Sequence, residues 1–95
     1  MPTPPLLQRL LTTPGPSGYE RDAAAVWREA ASAFATVSSD ALGSSVARVS
    51  GTGDGPLLAI VGHIDEIGVM VTHIDDEGFL WFGGVGGWDP VNLVG

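Results

Sequence analysis

The sequence predicts an α/β fold in which N-terminal helices pack on a mixed β-sheet and further β-strands follow. Between residues 18 and 35, apolar side chains recur every three or four residues, the spacing of a helix that buries one face. From residue 36 onward, runs rich in β-branched and aromatic residues alternate with Gly-rich turns, as strands do. The run at residues 57–61 is apolar throughout, which is expected of a strand covered on both faces.

A short first helix is predicted near the N-terminus. Thr3 suits the N-cap position, and Pro4 suits the first helical position, where a proline loses no hydrogen bond. The leucines of this helix fall at helical spacing: Leu6, Leu7, Leu10 and Leu11. The run at residues 12–16 contains two prolines and a glycine, so the helix is expected to end there.

The second helix is predicted to span residues 18–35. Ser17 and Glu20 have the spacing of a capping box, in which each side chain accepts a hydrogen bond from the backbone N–H of the other residue. The apolar stripe consists of Ala23, Val26, Trp27, Ala30 and Phe34. Because aromatic side chains bury large areas, we expect Trp27 and Phe34 to anchor the core.

Five strands are predicted, at residues 36–40, 45–50, 57–61, 67–74 and 79–82. A turn at Leu42 and Gly43 joins the first two strands. The last two flank an acidic loop, residues 75–78, that ends in glycine, and this arrangement predicts a β-hairpin. Residues 91–95 have the pattern of a further strand without a closing signal, so we expect the chain to be a fragment of a longer protein.

The charge is distributed unevenly along the 95 residues. The net charge is −7, and residues 51–95 contain seven acidic residues and no basic ones. Without a basic surface, nucleic acid is not an expected partner. The absence of cysteine excludes disulfides and thiolate metal sites. There is no signal-peptide pattern, and the longest aliphatic run is too short to span a membrane, so we expect a cytoplasmic protein without a membrane partner.

His63 and Asp65 directly follow the predicted strand at residues 57–61. Residues i and i+2 of a strand point to the same face, so the imidazole and the carboxylate are expected side by side. Histidine is a common zinc ligand, and its second nitrogen usually donates to a carboxylate that fixes the tautomer. Asp65 could therefore orient His63 or bind a metal itself. The alternative interpretation is an ordinary polar strand end, which the spacing alone does not exclude.

The other polar positions have simpler interpretations. His73 is expected to be a surface histidine. The acidic residues 75–77 lack the alternating ligand spacing of a calcium loop, so a solvated turn is expected. The glycines at residues 83–87 are not followed by the Lys-Ser/Thr of a phosphate-binding loop. No Gly-x-Ser-x-Gly motif and no cysteine is present to act as an acyl-transfer nucleophile.

Four motifs occur in order along the chain: Pro-Gly-Pro-Ser-Gly-Tyr-Glu at 14–20, Asp-Ala-Leu-Gly at 40–43, Gly-His-Ile-Asp-Glu-Ile-Gly-Val-Met-Val at 62–71, and Gly-Gly-Trp-Asp-Pro at 86–90. Together they resemble the N-terminal quarter of the glutamyl aminopeptidase family, which includes the tetrahedral and deblocking aminopeptidases. The resemblance covers nearly all of the chain. One departure is Ser44, which stands at a turn where the family usually has asparagine, and little functional loss is expected from it.

The resemblance implies a metallo-aminopeptidase that hydrolyses N-terminal residues of short peptides with two divalent metal ions, zinc or cobalt. His63 is then a metal ligand, and Asp65 orients it. The remaining ligands and the general base follow beyond residue 95, so the fragment itself is expected to be inactive. Residues 1–67 would begin the catalytic domain, and residues 68–95 would begin an inserted β-rich dimerisation domain. The full-length protein is expected to be a dimer-based homo-oligomer, such as a dodecamer.

Two other functions remain open at this point. One is a non-catalytic β-rich assembly module, and the other is a carbohydrate hydrolase, because some family members carry an endoglucanase label. A glycosidase needs two carboxylates about 5–9.5 Å apart on either side of the bond that it cleaves. Asp65 and Glu66 are adjacent and would point to opposite faces of a strand, which argues against the carbohydrate hydrolase.

Overall fold

Two short helices form the N-terminal part of the fold. A computed structural model describes residues 1–93, with helix α1 at Pro5–Thr12 and helix α2 at Arg21–Ala31. An ion pair between Arg9 and Glu29, 2.6 Å apart, joins the two helices. Both side chains are more than half exposed, so this pair contributes at most about 1 kcal/mol. The helices found among residues 1–93 all fall short of the length and hydrophobicity that a membrane-spanning helix requires.

Both helices begin later than the sequence predicts. Helix α1 starts at Pro5 with Pro4 as its N-cap, so the predicted cap at Thr3 is wrong. Two consecutive prolines can occupy these positions because neither needs a helical N–H. Glu20 occupies the N-cap position of α2 without a side-chain capping hydrogen bond, so the predicted capping box is wrong as well. The Glu20 carboxylate instead accepts from the Gly18 N–H at 2.6 Å, while the Ser17 hydroxyl bonds a residue outside the helix.

Small side chains form the buried face of α2. Ala23, Ala24 and Ala31 are only 3–4% exposed. Ala23 lies against Gly15 of the loop before the helix. Trp27 is half-buried. Phe34 is 70% exposed, so its predicted role as a core anchor is wrong. The helix ends at Ala31, and Phe34 therefore lies beyond the regular apolar stripe.

Four strands form two antiparallel pairs: β1 Thr36–Ser39 with β2 Ser45–Arg48, and β3 Gly68–Ile74 with β4 Leu80–Val85. The α/β class is thus confirmed, with parallel pairing present only as a bridge between Pro16 and Glu66 within residues 1–93. A 3-10 helix at Pro90–Leu93 replaces the start of the strand predicted at residues 91–95. Residues 94 and 95 of that prediction lie outside the described part of the chain.

The turn between β1 and β2 is held by Asp40. One carboxylate oxygen of Asp40 accepts from the backbone N–H groups of Leu42 and Ser44, each at 2.9 Å. Gly43 has a φ of +92°, a conformation that favours glycine. The turn predicted at Leu42 and Gly43 is therefore confirmed. Arg28 of α2 donates to the Ser45 hydroxyl at 3.0 Å and ties this hairpin to the helix.

The β3–β4 hairpin is organised in the same way around Asp75. Its carboxylate accepts from the Trp81 indole at 3.1 Å and from the backbone N–H groups of Phe79 and Glu77 at 2.9 and 3.0 Å. These hydrogen bonds, the Trp81 indole first, hold the pKa of Asp75 below its ordinary value. The acidic loop therefore acts as a turn, as predicted.

The hairpin is expected to lose stability in acid. Folding lowers the pKa of Asp75. The ionised Asp75 carboxylate therefore stabilises the hairpin fully at a pH above the ordinary pKa of aspartate, about 3.9. This stabilisation is lost as the pH falls below that value toward the lowered pKa. The indole N–H resonance of Trp81 should then move toward that of free tryptophan below about pH 4. Asp75→Asn keeps an acceptor oxygen but cannot titrate, so the same change in this variant would contradict the explanation.

The apolar run at residues 57–61 does not form the predicted strand. It belongs to no helix or strand, and its large side chains are 82–93% exposed: Leu57, Leu58, Ile60 and Val61. A covered strand needs neighbours on both edges and both faces, and residues 1–93 place none of them against this run. The prediction of a buried strand is therefore wrong for the chain as it stands.

Candidate functional site

The candidate site is built where two segments distant in sequence run side by side. The loop between α1 and α2 pairs with Glu66 through a single parallel bridge at Pro16, which is a ladder of one residue pair. The Glu66 N–H donates to the Gly15 carbonyl at 2.9 Å, and the Ser17 N–H donates to the Glu66 carbonyl at 3.1 Å. The Glu66 side chain adds a third bond by accepting from the Gly15 N–H at 3.1 Å. The loop therefore fixes the backbone on which His63 and Asp65 are carried.

A glycine allows this loop to lie directly against helix α2. Gly15 is buried, and a Cβ atom added to it would lie 3.0 Å from the Ala23 Cβ. That distance is shorter than normal packing between carbon atoms, so a side chain at residue 15 would push the loop off the helix. The position of the ladder thus depends on small residues on both sides of this close approach.

His63 and Asp65 lie in contact, as the sequence predicts, although the segment is not a regular strand. The Nδ1 atom of His63 is 2.9 Å from a carboxylate oxygen of Asp65 and 3.0 Å from the Asp65 carbonyl oxygen. Both neighbours are acceptors, so Nδ1 carries a proton and donates it. In the neutral ring, the lone pair is then on Nε2. The His63 side chain is 85% exposed, and its Nε2 is available to a ligand.

The second carboxylate oxygen of Asp65 is held by Ser17. The Ser17 hydroxyl donates to it at 2.5 Å, while the Glu66 carbonyl is 3.5 Å from the same hydroxyl and is too distant to compete. The Ser17 hydroxyl first, and the His63 ring second, hold the pKa of Asp65 below its ordinary value. Asp65 is therefore a carboxylate at neutral pH, as its two donors require.

The sequence places His63 and Asp65 correctly beside each other but does not reveal Ser17. The capping-box spacing assigns the Ser17 hydroxyl to helix α2, whereas it bonds a residue 48 positions later. The only sequence feature that points to a role for Ser17 in the site is its position inside the motif at residues 14–20. His73 lies on β3 with an exposed side chain, which confirms that it is a surface histidine.

The described residues supply one suitable metal ligand, the Nε2 atom of His63. Within residues 1–93, no group of three or more His, Cys, Asp or Glu side chains is placed to enclose a metal ion. His63 nevertheless has the arrangement that metal-binding histidines adopt, with one nitrogen held by a carboxylate and the other free. A cleft of about 240 Å³ adjoins it and is lined on one side by Leu10 and Leu11 of α1.

The motif at residues 86–90 packs against the residues that follow the site. The Trp88 indole donates to the Gly68 carbonyl, two residues after the ladder ends at Glu66. Gly86 turns the chain with a φ of +80°, and a Cβ atom there would lie 2.8 Å from the Ile67 Cγ2. Two of the four motifs thus meet in space at the junction of the ladder and the β3–β4 hairpin.

Comparison with known proteins gives consistent matches. The model of the M42 glutamyl aminopeptidase family matches residues 43–95. The FrvX protein of Escherichia coli (strain K12) is 59% identical over 49 residues, which are 52% of this chain and 13% of FrvX. Lysyl aminopeptidase of Pyrococcus furiosus is 34% identical over 94 residues, which are 94% of this chain and 26% of that protein.

A solved structure has the same fold. The TET aminopeptidase from the marine sediment archaeon Thaumarchaeota archaeon SCGC AB-539-E09 superposes with a TM-score of 0.75 at 39% sequence identity. The match covers 87% of this chain and 23% of that one, so the chain spans about a quarter of the length of such proteins. The family match covers more than half of the chain, and the protein therefore belongs to the M42 glutamyl aminopeptidase family.

Proposed function

We propose that the whole protein is a metal-dependent aminopeptidase that removes N-terminal residues from short peptides. The observation that carries the proposal is the His63–Asp65 hydrogen bond, which leaves Nε2 of an exposed imidazole free for a metal ion. Family membership supports the same reaction class. The names of two similar proteins, a lysyl aminopeptidase and a TET aminopeptidase, support it as well.

Each residue of the pair has a separate task in this proposal. His63 binds a metal ion through Nε2, and Asp65 holds the imidazole in the tautomer and orientation that binding needs. Two divalent ions, zinc or cobalt, would supply the Lewis acidity that lowers the pKa of water and polarises a peptide carbonyl. The remaining ligands and the general base are expected in the parts of the whole protein that this chain does not span.

The domain organisation is part of the proposal. Residues 1–67 would begin the catalytic domain, and residues 68–95 would begin an inserted β-rich dimerisation domain. In support, no helix or strand of residues 1–67 packs against the β3–β4 hairpin within the described range. The two parts adjoin at Gly68, where an added Cβ atom would lie 3.3 Å from the Pro16 Cβ. We further propose a cytoplasmic, dimer-based homo-oligomer.

The two alternative functions gain no support. A glycosidase would need two carboxylates free to flank a substrate. Asp65 is held by Ser17 and His63, and the Glu66 carboxylate accepts from the Gly15 N–H. Both groups therefore serve the local structure. No interaction among the described residues favours a non-catalytic assembly module over a peptidase.

Removal of the metal is expected to abolish the activity of the whole protein. The activity on an aminoacyl p-nitroanilide should fall to background after treatment with 1,10-phenanthroline, because the metal ions would no longer lower the pKa of water or polarise the peptide carbonyl. Addition of Zn²⁺ or Co²⁺ after removal of the chelator should restore it. Full activity in the chelator, at a concentration that strips zinc from a control metallopeptidase, would contradict the proposal.

A further inference from the structure

We propose that Ser17 is a positioning residue for the metal site: its hydroxyl fixes the Asp65 carboxylate, and Asp65 in turn fixes His63. This inference rests on the proposed function, since it concerns the same histidine. It goes further because it assigns a role to the loop between α1 and α2. The chain of hydrogen bonds runs from the Ser17 hydroxyl through both carboxylate oxygens of Asp65 to Nδ1 of His63.

The Ser17 hydroxyl bonds the Asp65 carboxylate in preference to the backbone. A hydroxyl has one proton, and the 2.5 Å distance to Asp65 is much shorter than the 3.5 Å distance to the Glu66 carbonyl. A hydroxyl bonded to a carboxylate forms one of the stronger hydrogen bonds in proteins. The proton of Ser17 is therefore committed to Asp65.

The backbone around Ser17 is fixed independently of the site. The Ser17 N–H is bonded to the Glu66 carbonyl, and Gly15 is bonded to Glu66 in both directions. Gly15 lies against Ala23, which fixes the ladder to helix α2. The hydroxyl is thus presented by a framework that does not depend on the metal, and such preorganisation is what a binding site needs.

The Asp65 carboxylate has few other groups to hold it in place. Its side chain is 38% exposed, and among residues 1–93 only Ser17 and His63 form side-chain hydrogen bonds with it. Without the Ser17 hydroxyl, the carboxylate can rotate, and His63 keeps only the Asp65 carbonyl as a fixed acceptor. The imidazole would then sample orientations that do not bind a metal ion.

Ser17→Ala in the whole protein is expected to weaken Zn²⁺ binding by about tenfold, the lower end of what removing such a supporting hydrogen bond costs. The dissociation constant can be measured by competition with a chromophoric chelator. The d–d absorption bands of the Co²⁺-loaded protein should also shift, since they report ligand geometry. Ser17→Thr keeps a hydroxyl, so its Zn²⁺ dissociation constant and its Co²⁺ absorption bands should match those of the unchanged protein. Ser50→Ala, which removes an exposed hydroxyl elsewhere, should change neither.

A double-mutant cycle separates positioning from general stability. If Ser17 acts through Asp65, Ser17→Ala should have little further effect on Zn²⁺ affinity in an Asp65→Asn background. Additive effects, or an unchanged affinity in Ser17→Ala, would overturn the inference. A different result would contradict the proposed function itself: full metal content and full activity in His63→Ala. If His63→Ala is inactive and Ser17→Ala is unchanged, only the role of Ser17 is overturned.

Discussion

Replacement of His63 by alanine in the whole protein is expected to lower the activity on an aminoacyl p-nitroanilide by at least about a hundredfold. Replacing a residue that only supports a ligand already costs roughly 10–100-fold, and this variant removes the ligand itself. The Asp65 carboxylate would remain, but it would have no imidazole to orient. The bound metal, measured by plasma mass spectrometry after dialysis, should fall in parallel with the activity.

The chain offers a matched control for this experiment. His73 is its other histidine, and its exposed side chain lies on β3. His73→Ala should keep the metal content and the activity of the unchanged protein, since a solvated strand position tolerates substitution within about 0.5 kcal/mol. Full activity with full metal content in His63→Ala would contradict the assignment of a ligand at this position. A loss in both variants would indicate a folding defect instead.

Local elements of this fold follow from local patterns in the sequence. The apolar spacing that predicts α2 depends on residues within four positions of one another, and the helix is present at Arg21–Ala31. The β3–β4 hairpin is equally local, because Asp75 closes the turn by bonding residues two to six positions away. The C-terminal end of α1 is predicted correctly, at the run that begins with Thr12. The N-terminal caps of both helices and the C-terminal end of α2 are predicted wrongly, since capping depends on which competing partner a side chain takes.

The strand predicted at residues 57–61 is absent because its formation depends on residues far away in the sequence. Its composition is right for a covered strand, but pairing depends on neighbours that are distant in sequence. Among the described residues, no strand edge and no helix face is placed against it. Since the chain spans about a quarter of the similar proteins, these neighbours are expected elsewhere in the whole protein.

The sequence predicts the contact between His63 and Asp65, which are close along the chain, but it does not predict the contact of Asp65 with the distant Ser17. His63 and Asp65 are two positions apart, so any extended backbone brings them to the same side. Ser17 reaches Asp65 across 48 positions, and its own spacing to Glu20 favours a helix cap instead. The backbone hydrogen bonds of Glu66 to Gly15 and Ser17 place the Ser17 hydroxyl beside Asp65, and Gly15 lies closely against α2.

The second large effect is expected from Gly86→Ala. Gly86 has a φ of +80°, which costs a residue with a Cβ about 1–2 kcal/mol. The added atom would also lie 2.8 Å from the Cγ2 of Ile67, a β-branched side chain with little freedom to move. Together these effects should destabilise the turn by at least about 2 kcal/mol. Hydrogen–deuterium exchange of the segment around residues 84–89 should then be roughly 30-fold faster in the whole protein.

The consequence of this turn extends to the candidate site. Gly86 directs Trp88 back toward the hairpin, where its indole bonds the Gly68 carbonyl directly after Glu66 and Ile67. Gly83→Ala is the control, because an added Cβ there meets no atom within 4 Å and the φ of Gly83 is not positive. If Gly86→Ala leaves exchange unchanged, the turn is not under the strain described. If hydrogen–deuterium exchange also becomes faster at residues 65–68, the turn at residues 86–90 stabilises the segment that carries His63 and Asp65.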